Sequence, residues 1–458
     1  MKRNYVLIAI FCISFVCISS ISLAGTYSGG AGLVGDPYQI SSSADINELM
    51  NTSGDWGSYF IVTQNIDCSS ASWSSGNPKP IGNGATSFTG HFDGQGFTIS
   101  NITYIEDFSY SLSYAEFGFF GFIFGGNISN LNLDNFDIQN HLSNSFGIFC
   151  GKNDSGIITN CSSQGKVDGM SPSGGFCGVN TSGTITNCSS IAEVNGSGSL
   201  GGFCGINYLG IISYCYCTSN VSGSAWNGGF CGQNYNGIIN YCYSTGQVNS
   251  SDSNIGGFCG ENRNSGQISY CYSSCSVTAV YDYVGGFCGN TYNNANISNC
   301  YSTGDVSGRD GVGGFIGQIS FPVCSLENCY STGRVTASGS NYGGFCGRYI
   351  MGSFTCCFWN ITTSGMSDGV GAANPDPSGV TGLTNGQFSD PSNFSCFDFG
   401  NDWIMPSSLR YGDRFGNYPI LRSILFTFFI PTLTEWAIIL FIGLLAGVGS
   451  WFVWRKLV

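Results

Sequence analysis

The feature that most constrains the fold is a five-residue block, Gly-Gly-Phe-Cys-Gly, which recurs with a period of 27 to 30 residues. Variants at residues 118–121, 147–151 and 313–317 keep the spacing, and a second marker position follows each block after 11 to 13 residues. Nine repeats are therefore predicted over residues 116–357. The block cysteines are Cys150, Cys177, Cys204, Cys231, Cys259, Cys288 and Cys346, and the second positions are Leu131, Cys161, Cys188, Cys215, Cys242, Cys271, Cys300, Cys329 and Cys357.

Each repeat contains three short apolar runs separated by Gly, Asn and Ser turns. Runs of this length are typical of strands and are too short for helices. One repeat cannot bury its own apolar side, whereas stacked repeats bury a continuous core. The sequence therefore predicts an all-β fold, a right-handed parallel β-helix of about nine rungs. We expect an N-terminal cap with entry rungs over residues 25–115, including a short capping helix at 43–49, and a C-terminal cap over 358–425.

The composition excludes two other classes of protein. Aromatic residues make up 15% of the chain, whereas disordered chains are poor in them. The net charge is −13, and nucleic-acid binding needs clustered Lys and Arg. We therefore expect an ordered protein without a nucleic-acid partner.

The N-terminus has the pattern of a secretory signal peptide over residues 1–24. Lys2 and Arg3 precede an apolar stretch, and small residues end it at Ala24. Cleavage between Ala24 and Gly25 would export the chain into an oxidising compartment.

A second apolar segment lies near the C-terminus. Residues 437–454 carry no charge and have the length needed to cross a bilayer. Arg455 and Lys456 follow at once, and basic residues stay on the cytoplasmic side. The sequence predicts a transmembrane helix that anchors the chain in the membrane with its body outside.

The tail as a whole, residues 426–458, resembles the IPTL-CTERM sorting signal. The resemblance departs only at Thr434, where Ser is more usual. It implies recognition by an exosortase-like enzyme in a Gram-negative bacterium, cleavage near Pro431, and transfer to the cell surface or extracellular matrix. The residues that carry it are Ile430, Pro431, Thr432, Leu433, Glu435, Trp436, Arg455 and Lys456.

The repeats themselves resemble the GLUG-motif repeats of bacterial surface proteins. The resemblance rests on the Gly-Gly-Phe-Cys-Gly block and on the phrase Asn-Cys-Tyr-Ser-Thr-Gly, seen at residues 299–304. It covers more than half of the chain that follows the signal peptide. The usual motif has an aliphatic residue where this chain has Cys.

The 23 cysteines pose a question of redox state. Cys12 and Cys17 leave with the signal peptide, so 23 − 2 = 21 remain, an odd number. Phe120, Ile316 and Leu131 replace Cys in the two columns, which favours a ladder of buried thiols in the core. Some disulfides are the alternative. No cysteine or histidine spacing matches a known metal site, so no metal is expected.

A tyrosine follows the second cysteine in five successive repeats. If the cysteines point inward, strand alternation places these tyrosines outward. They form a candidate ligand stripe that stacks on sugar rings or packs on a partner. The alternative is a ladder that only stabilises the stack of rungs. The stripe consists of Tyr216, Tyr243, Tyr272, Tyr301 and Tyr330.

Charged residues are scattered, and no carboxylate pair recurs at one position of the repeat. We therefore interpret the chain as an adhesive or structural surface protein that is not an enzyme and needs no cofactor. Its expected partners are the sorting enzyme and an extracellular polysaccharide, or a host or cell surface. Two alternatives stay open, a polysaccharide-degrading β-helix hydrolase or lyase and a scaffold that displays other proteins.

Overall fold

The computed structural model describes residues 25–74, 78–105, 116–140, 145–321, 323–371, 373, 375–408 and 417–423. Within them the chain forms a parallel β-helix of the right-handed type with about ten turns, which confirms the predicted fold class. Three long sheets, here called faces 1, 2 and 3, follow one another in each repeat.

Face 1 begins at the block cysteine and has nine strands, one for each predicted repeat. Its strands pair in parallel and in register, so that Cys177 lies beside Cys204. The strands are Phe120–Phe124, Cys150–Asp154, Cys177–Thr181, Cys204–Tyr208, Cys231–Tyr235, Cys259–Arg263, Cys288–Tyr292, Ile316–Ser320 and Cys346–Tyr349.

Face 2 has twelve parallel strands, because three entry strands precede the repeats. Each of its repeat strands is three residues long and buries its central residue, as Ile212 does between its neighbours Ile185 and Ile239. The strands are Tyr38–Ile40, Tyr59–Val62, His91–Asp93, Asn127–Ser129, Ile157–Thr159, Thr184–Thr186, Ile211–Ser213, Ile238–Asn240, Gln267–Ser269, Asn296–Ser298, Ser325–Glu327 and Ser353–Thr355.

Face 3 has fifteen strands and starts just after the second cysteine of each repeat. In the C-terminal rungs each long strand divides into two shorter ones. The strands are Ile66–Asp67, Thr98–Ile105, Asn132–Asn140, Ser162–Gly169, Ser189–Gly196, Tyr216–Gly223, Tyr243–Ser250, Tyr272–Ser273, Ser276–Ala279, Tyr301–Ser302, Val306–Gly308, Tyr330–Ser331, Val335–Ala337, Cys357–Asn360 and Val380–Leu383.

Two-residue or three-residue strands connect face 3 to face 1 at a tight corner. The corner explains the paired glycines of the block, since a Cβ on Gly202 would lie 2.2 Å from the carbonyl oxygen of Gly229 in the next rung. The connecting strands are Glu116–Phe117, Ser145–Gly147, Ser173–Gly174, Leu200–Gly201, Ile255–Gly256, Val284–Gly285, Val312–Gly313 and Tyr342–Gly343.

The helices lie in the two caps. Helix Ser43–Asn51 starts with a capping box between Ser42 and Asp45, and it buries Leu49 on the N-terminal end of the core. It occupies the region predicted for a capping helix. The other helices are Ser53–Asp55, Ile361–Ser364, Asn385–Phe388, Pro391–Asn393 and Pro406–Ser408, and strands Trp403–Ile404 and Ile420–Leu421 pair antiparallel in the C-terminal cap.

A phenylalanine ladder runs through the core beside the block cysteines. Its rings are fully buried and stack at 4.6 to 4.9 Å, close to the spacing between strands. The stack gives each rung a fixed register against the next. The rings are Phe149, Phe176, Phe203, Phe230, Phe258, Phe287, Phe315 and Phe345.

A second ladder, of asparagine, lies buried at the corner between faces 1 and 2. Asn207 donates one amide hydrogen to Asn234 Oδ1 at 2.9 Å and the other to the Gly210 carbonyl at 3.0 Å. The same pattern repeats along the axis, so the corner carbonyls are satisfied away from water. The members are Asn153, Asn180, Asn207, Asn234 and Asn262.

The cysteine columns are buried, and the described residues contain 19 free thiols. At the second position the sulfurs of five successive rungs, Cys188 to Cys300, accept the backbone N–H of the previous rung, as Cys215 Sγ does from Cys188 N at 3.4 Å. The same thiol lies 3.2 Å from the Ser213 carbonyl and donates to it. Because Val could neither accept nor donate, this hydrogen bonding gives a physical reason for Cys at the corner.

One disulfide joins Cys356 in the last rung to Cys396 in the C-terminal cap. The alternative of some disulfides therefore holds at the cap, whereas the ladder itself consists of thiols. The two cysteines are 40 residues apart in sequence.

Breaking this disulfide is expected to loosen the cap without unfolding the rungs. Closing a loop of 40 residues contributes about 4 kcal/mol in the chain-entropy description. Cys396→Ser should therefore make residues 385–405 the first site of limited proteolysis, while the N-terminal fragment that contains the rungs resists further cleavage. Ser395→Ala, next to it, is the matched control. Unchanged cleavage of the cap in Cys396→Ser would contradict the tether.

Several predictions from the ends of the chain lie outside the described residues. They are the signal peptide up to Ala24, the transmembrane helix at 437–454 and the sorting signal at 426–458. Among the residues that the structure describes, no helix is long and apolar enough to cross a membrane.

Candidate ligand-binding surface

Two columns of stacked tyrosines lie on the outside of the β-helix, on either side of the second cysteine column. The first column contains Tyr214, Tyr241 and Tyr270, with ring centroids 4.8 and 4.9 Å apart. The second column is the predicted stripe, with spacings of 4.9 to 5.0 Å and nearly parallel rings. The cysteines between them point into the core, so the expected alternation holds.

The first column occupies a corner where the backbone is left-handed. Tyr214, Tyr241 and Tyr270 have φ values of 54°, 55° and 54°. Asn takes this position in the neighbouring rungs, at Asn187 and Asn299. Asn tolerates this conformation better than Tyr does. Three successive tyrosines therefore hold a position for which the backbone favours Asn.

The C-terminal cap covers much of the second column. Exposure falls to 9% at Tyr272, 5% at Tyr301 and 1% at Tyr330. Trp403 packs against both of the last two rings, and Tyr330 donates its hydroxyl hydrogen to the Pro419 carbonyl. Burial raises the pKa of Tyr301 and Tyr330 well above the usual value. The cap packs onto these three residues, so they are not accessible to a ligand.

Stacking also decides which parts of the open rings a ligand reaches. Inside each column both faces of a ring are covered by its neighbours, so only ring edges and hydroxyls face solvent. Tyr214 and Tyr216 are the first rings of their columns, and no second ring stacks on their other face among the described residues. Tyr214 is 53% exposed. The candidate surface is therefore the N-terminal end of the two columns rather than the whole stripe.

A polar row on the outside of face 1 escaped the sequence analysis. Its side chains come two residues after the face 1 cysteine position in five successive rungs. This fixed offset is the sequence pattern from which the row could have been predicted. Glu261 accepts from Gln233 at 2.9 Å and from Asn290 at 3.4 Å, and it pairs with Arg263 at 3.1 Å. The amide oxygens of Asn290 and Gln318 are enclosed and have no partner among the described residues. The row consists of Gln233, Glu261, Asn290, Gln318 and Arg348.

An open groove of about 760 Å³ follows the end of face 3. Asp168, Asn195 and Asn249 line it together with Gly and Ser residues and with the apolar side chains of Met170 and Val280. This lining offers hydrogen-bonding groups but no aromatic surface. The groove is therefore a weaker candidate than the ends of the tyrosine columns.

Comparison with known sequences confirms the repeat. The GLUG motif matches residues 228–249, 281–307 and 308–336. Halomucin of Haloquadratum walsbyi is 31% identical over 167 residues, which cover 35% of this chain and 2% of halomucin. A provisionally named Gly-rich membrane protein of Evansella cellulosilytica is 33% identical over 103 residues, covering 21% of this chain and 12% of that protein. The chain therefore spans only a small part of the length of either relative.

Comparison with solved structures corrects one prediction. A Bacteroides ovatus protein described as a candidate immunoglobulin A1 protease matches with a TM-score of 0.42 and 19% identity, covering 87% of this chain and 95% of that one. A structure described as IgA1 protease matches with a TM-score of 0.40 and 14% identity, covering 57% and 21%. Both names denote enzymes, so the prediction that the chain is not an enzyme is withdrawn. At these TM-scores the likeness carries no argument about activity.

Proposed function

We propose that the chain is an exported GLUG-repeat protein of the bacterial cell surface or extracellular matrix, with an adhesive or structural role. The observation that carries the proposal is the β-helix itself, a rigid stack of GLUG-type rungs that presents a repeated outer surface. Such a stack holds many side chains in a fixed array, which suits contact with an extended polymer. One relative is named as a membrane protein, which supports a place in the cell envelope.

The proposal includes sorting by an exosortase-like enzyme at the C-terminus. Residues 430–436, the apolar segment and the basic pair support it by their order along the sequence. The chain would first be held in the membrane of a Gram-negative bacterium and then pass to the surface after cleavage near Pro431. Polysaccharide degradation and display of other proteins are the alternative roles for the same β-helix.

Sorting can be tested with the full chain in a Gram-negative host that carries an exosortase-type enzyme. We expect wild-type chains to be labelled by an antibody on intact cells, whereas Pro431→Ala should stay uncleaved in the membrane fraction. Thr434→Ser introduces the more usual residue and is the matched control, which should reach the surface like wild type. Equal surface labelling of Pro431→Ala and wild type would contradict sorting at this site.

A further inference from the structure

The tyrosine columns end abruptly between two adjacent rungs. Ser189 pairs in register with Tyr216, and Asn187 donates its backbone hydrogen to Ser213 O beside Tyr214 at 3.2 Å. Two large side chains in one rung therefore lie next to two small polar ones in the rung before. The difference in side-chain size leaves a step on the outer surface, with an aromatic wall and a polar floor.

We propose that this step, here called the aromatic step, binds one ring of a neutral sugar chain. The inference rests on the proposed adhesive function and names the ligand class and the residues that would contact it. The wall is formed by the open faces of Tyr214 and Tyr216. The floor is formed by Asn187 and Ser189, and it continues into Asn160 and Ser162 of the preceding rung.

The wall offers aromatic ring faces that are not covered by a neighbouring ring, which the rest of the columns lack. Stacked rings inside the columns are about 5 Å apart, so they leave no room for a ligand between them. At the step, a sugar ring that lies over Asn187, against the open face of Tyr214, would continue the stack at the same spacing. An aromatic face carries negative charge density and attracts the polarised C–H groups on the flat side of a sugar ring.

The floor restricts the chemistry of the ligand. Its side chains are amides and hydroxyls, which donate and accept hydrogen bonds without carrying charge. Neither wall nor floor contains a carboxylate, Lys or Arg. This favours a neutral ligand rich in hydroxyl groups over an anionic or cationic one. A few such polar groups beside an apolar wall are typical of sites that orient a small ligand.

The backbone of the first column is a second, independent observation. Tyr214 holds a left-handed conformation in which an L-residue with a bulky side chain is strained, and Asn would relieve the strain. Asn187 and Asn160 take this position in the two rungs before it. Tyr241 and Tyr270 share this strain, but both are less exposed than Tyr214, which is 53% exposed. Strain at the least buried of the three positions points to a role for the Tyr214 ring beyond stability.

Calorimetric titration of the full chain, solubilised in detergent, tests the aromatic step. The probes are cellohexaose, laminarihexaose and maltohexaose as neutral chains, and hexagalacturonate as an anionic one. We expect at least one neutral hexasaccharide to bind and hexagalacturonate to bind more weakly. In the double variant Tyr214→Leu, Tyr216→Leu, affinity should fall by about tenfold or more, because two aromatic stacking contacts are lost.

Tyr241→Leu is the matched control, since it changes the same column but leaves the wall intact, and its affinity should stay within about twofold of wild type. Circular dichroism and thermal unfolding confirm that all variants are folded. Equal affinity of wild type and the double variant would overturn the aromatic step while leaving the adhesive function in place. Failure of every neutral probe to bind wild type, or tighter binding of hexagalacturonate, would also overturn it. If cells that display the wild-type chain did not adhere, that result would instead count against the proposed function.

Discussion

Raising the pH above about 9 is expected to destabilise the β-helix steeply, because the buried thiols of face 1 resist ionisation. Burial raises their pKa well above the usual 9.0, whereas in the unfolded chain they ionise near that value. The folded state therefore holds protons that the unfolded state releases, so these five thiols leave the free energy of unfolding unchanged below pH 9 and lower it above pH 9. The thiols are Cys177, Cys204, Cys231, Cys259 and Cys288.

The expected slope is about 1.4 kcal/mol per thiol for each pH unit, or about 7 kcal/mol for these five. Urea unfolding at a series of pH values, with a reductant present throughout, measures it. Replacing Cys177, Cys204 and Cys231 by Val should remove about 4 kcal/mol per pH unit from the slope. A free energy of unfolding that stays constant above pH 9 would show that the thiols are not buried as described.

Phe230→Ala is expected to lower the stability of the rungs strongly. Phe230 is fully buried and stacks between Phe203 at 4.9 Å and Phe258 at 4.8 Å. Truncation of a core Phe to Ala costs about 3 to 5 kcal/mol, which includes the lost ring contacts, and the ring pairs on both sides place Phe230 at the upper end of this range. We therefore expect the free energy of unfolding to fall by about 4 to 5 kcal/mol, measured by urea denaturation at neutral pH.

The outer ladder supplies the matched control for this substitution. Tyr241 stacks between Tyr214 and Tyr270 at nearly the same distances, but its ring lies outside the core. Tyr241→Ala removes the same kind of ring pairs without opening a core cavity, so we expect a loss of only about 1 to 2 kcal/mol. Similar losses in both variants would mean that stacking, rather than burial, stabilises the rungs.

The sequence was sufficient to predict the solenoid because its information is local and repeated. Cys, Phe and Ile recur at fixed offsets, so the core positions of one repeat also identify those of the next. The nine strands of face 1 follow the nine predicted repeats, and the outward direction of Tyr216 follows from strand alternation. These features depend only on residues that lie within one repeat of each other in the sequence.

The features that the sequence did not reveal depend on distant contacts or on backbone shape. Trp403 lies 102 residues after Tyr301 (403 − 301), and no repeat pattern links them, so burial of the stripe by the cap was not predictable. The left-handed backbone at Tyr214 was not predicted, because Tyr itself does not indicate this conformation and only the Asn residues at the same position of other rungs do. The buried ladder at Asn207 looked like one more polar turn, since composition does not tell an enclosed amide from an exposed one.

Retention of intact cells on a polysaccharide-coated surface tests the proposed function most directly. Cells of one Gram-negative strain, with and without the full chain, would be washed over surfaces coated with neutral glucans, and polymer length would be followed in parallel to separate binding from cleavage. The proposed function predicts that cells carrying the chain are retained in excess of cells lacking it, and that Pro431→Ala reduces retention. Equal retention of cells with and without the chain, although the chain is labelled at the surface, would contradict an adhesive role.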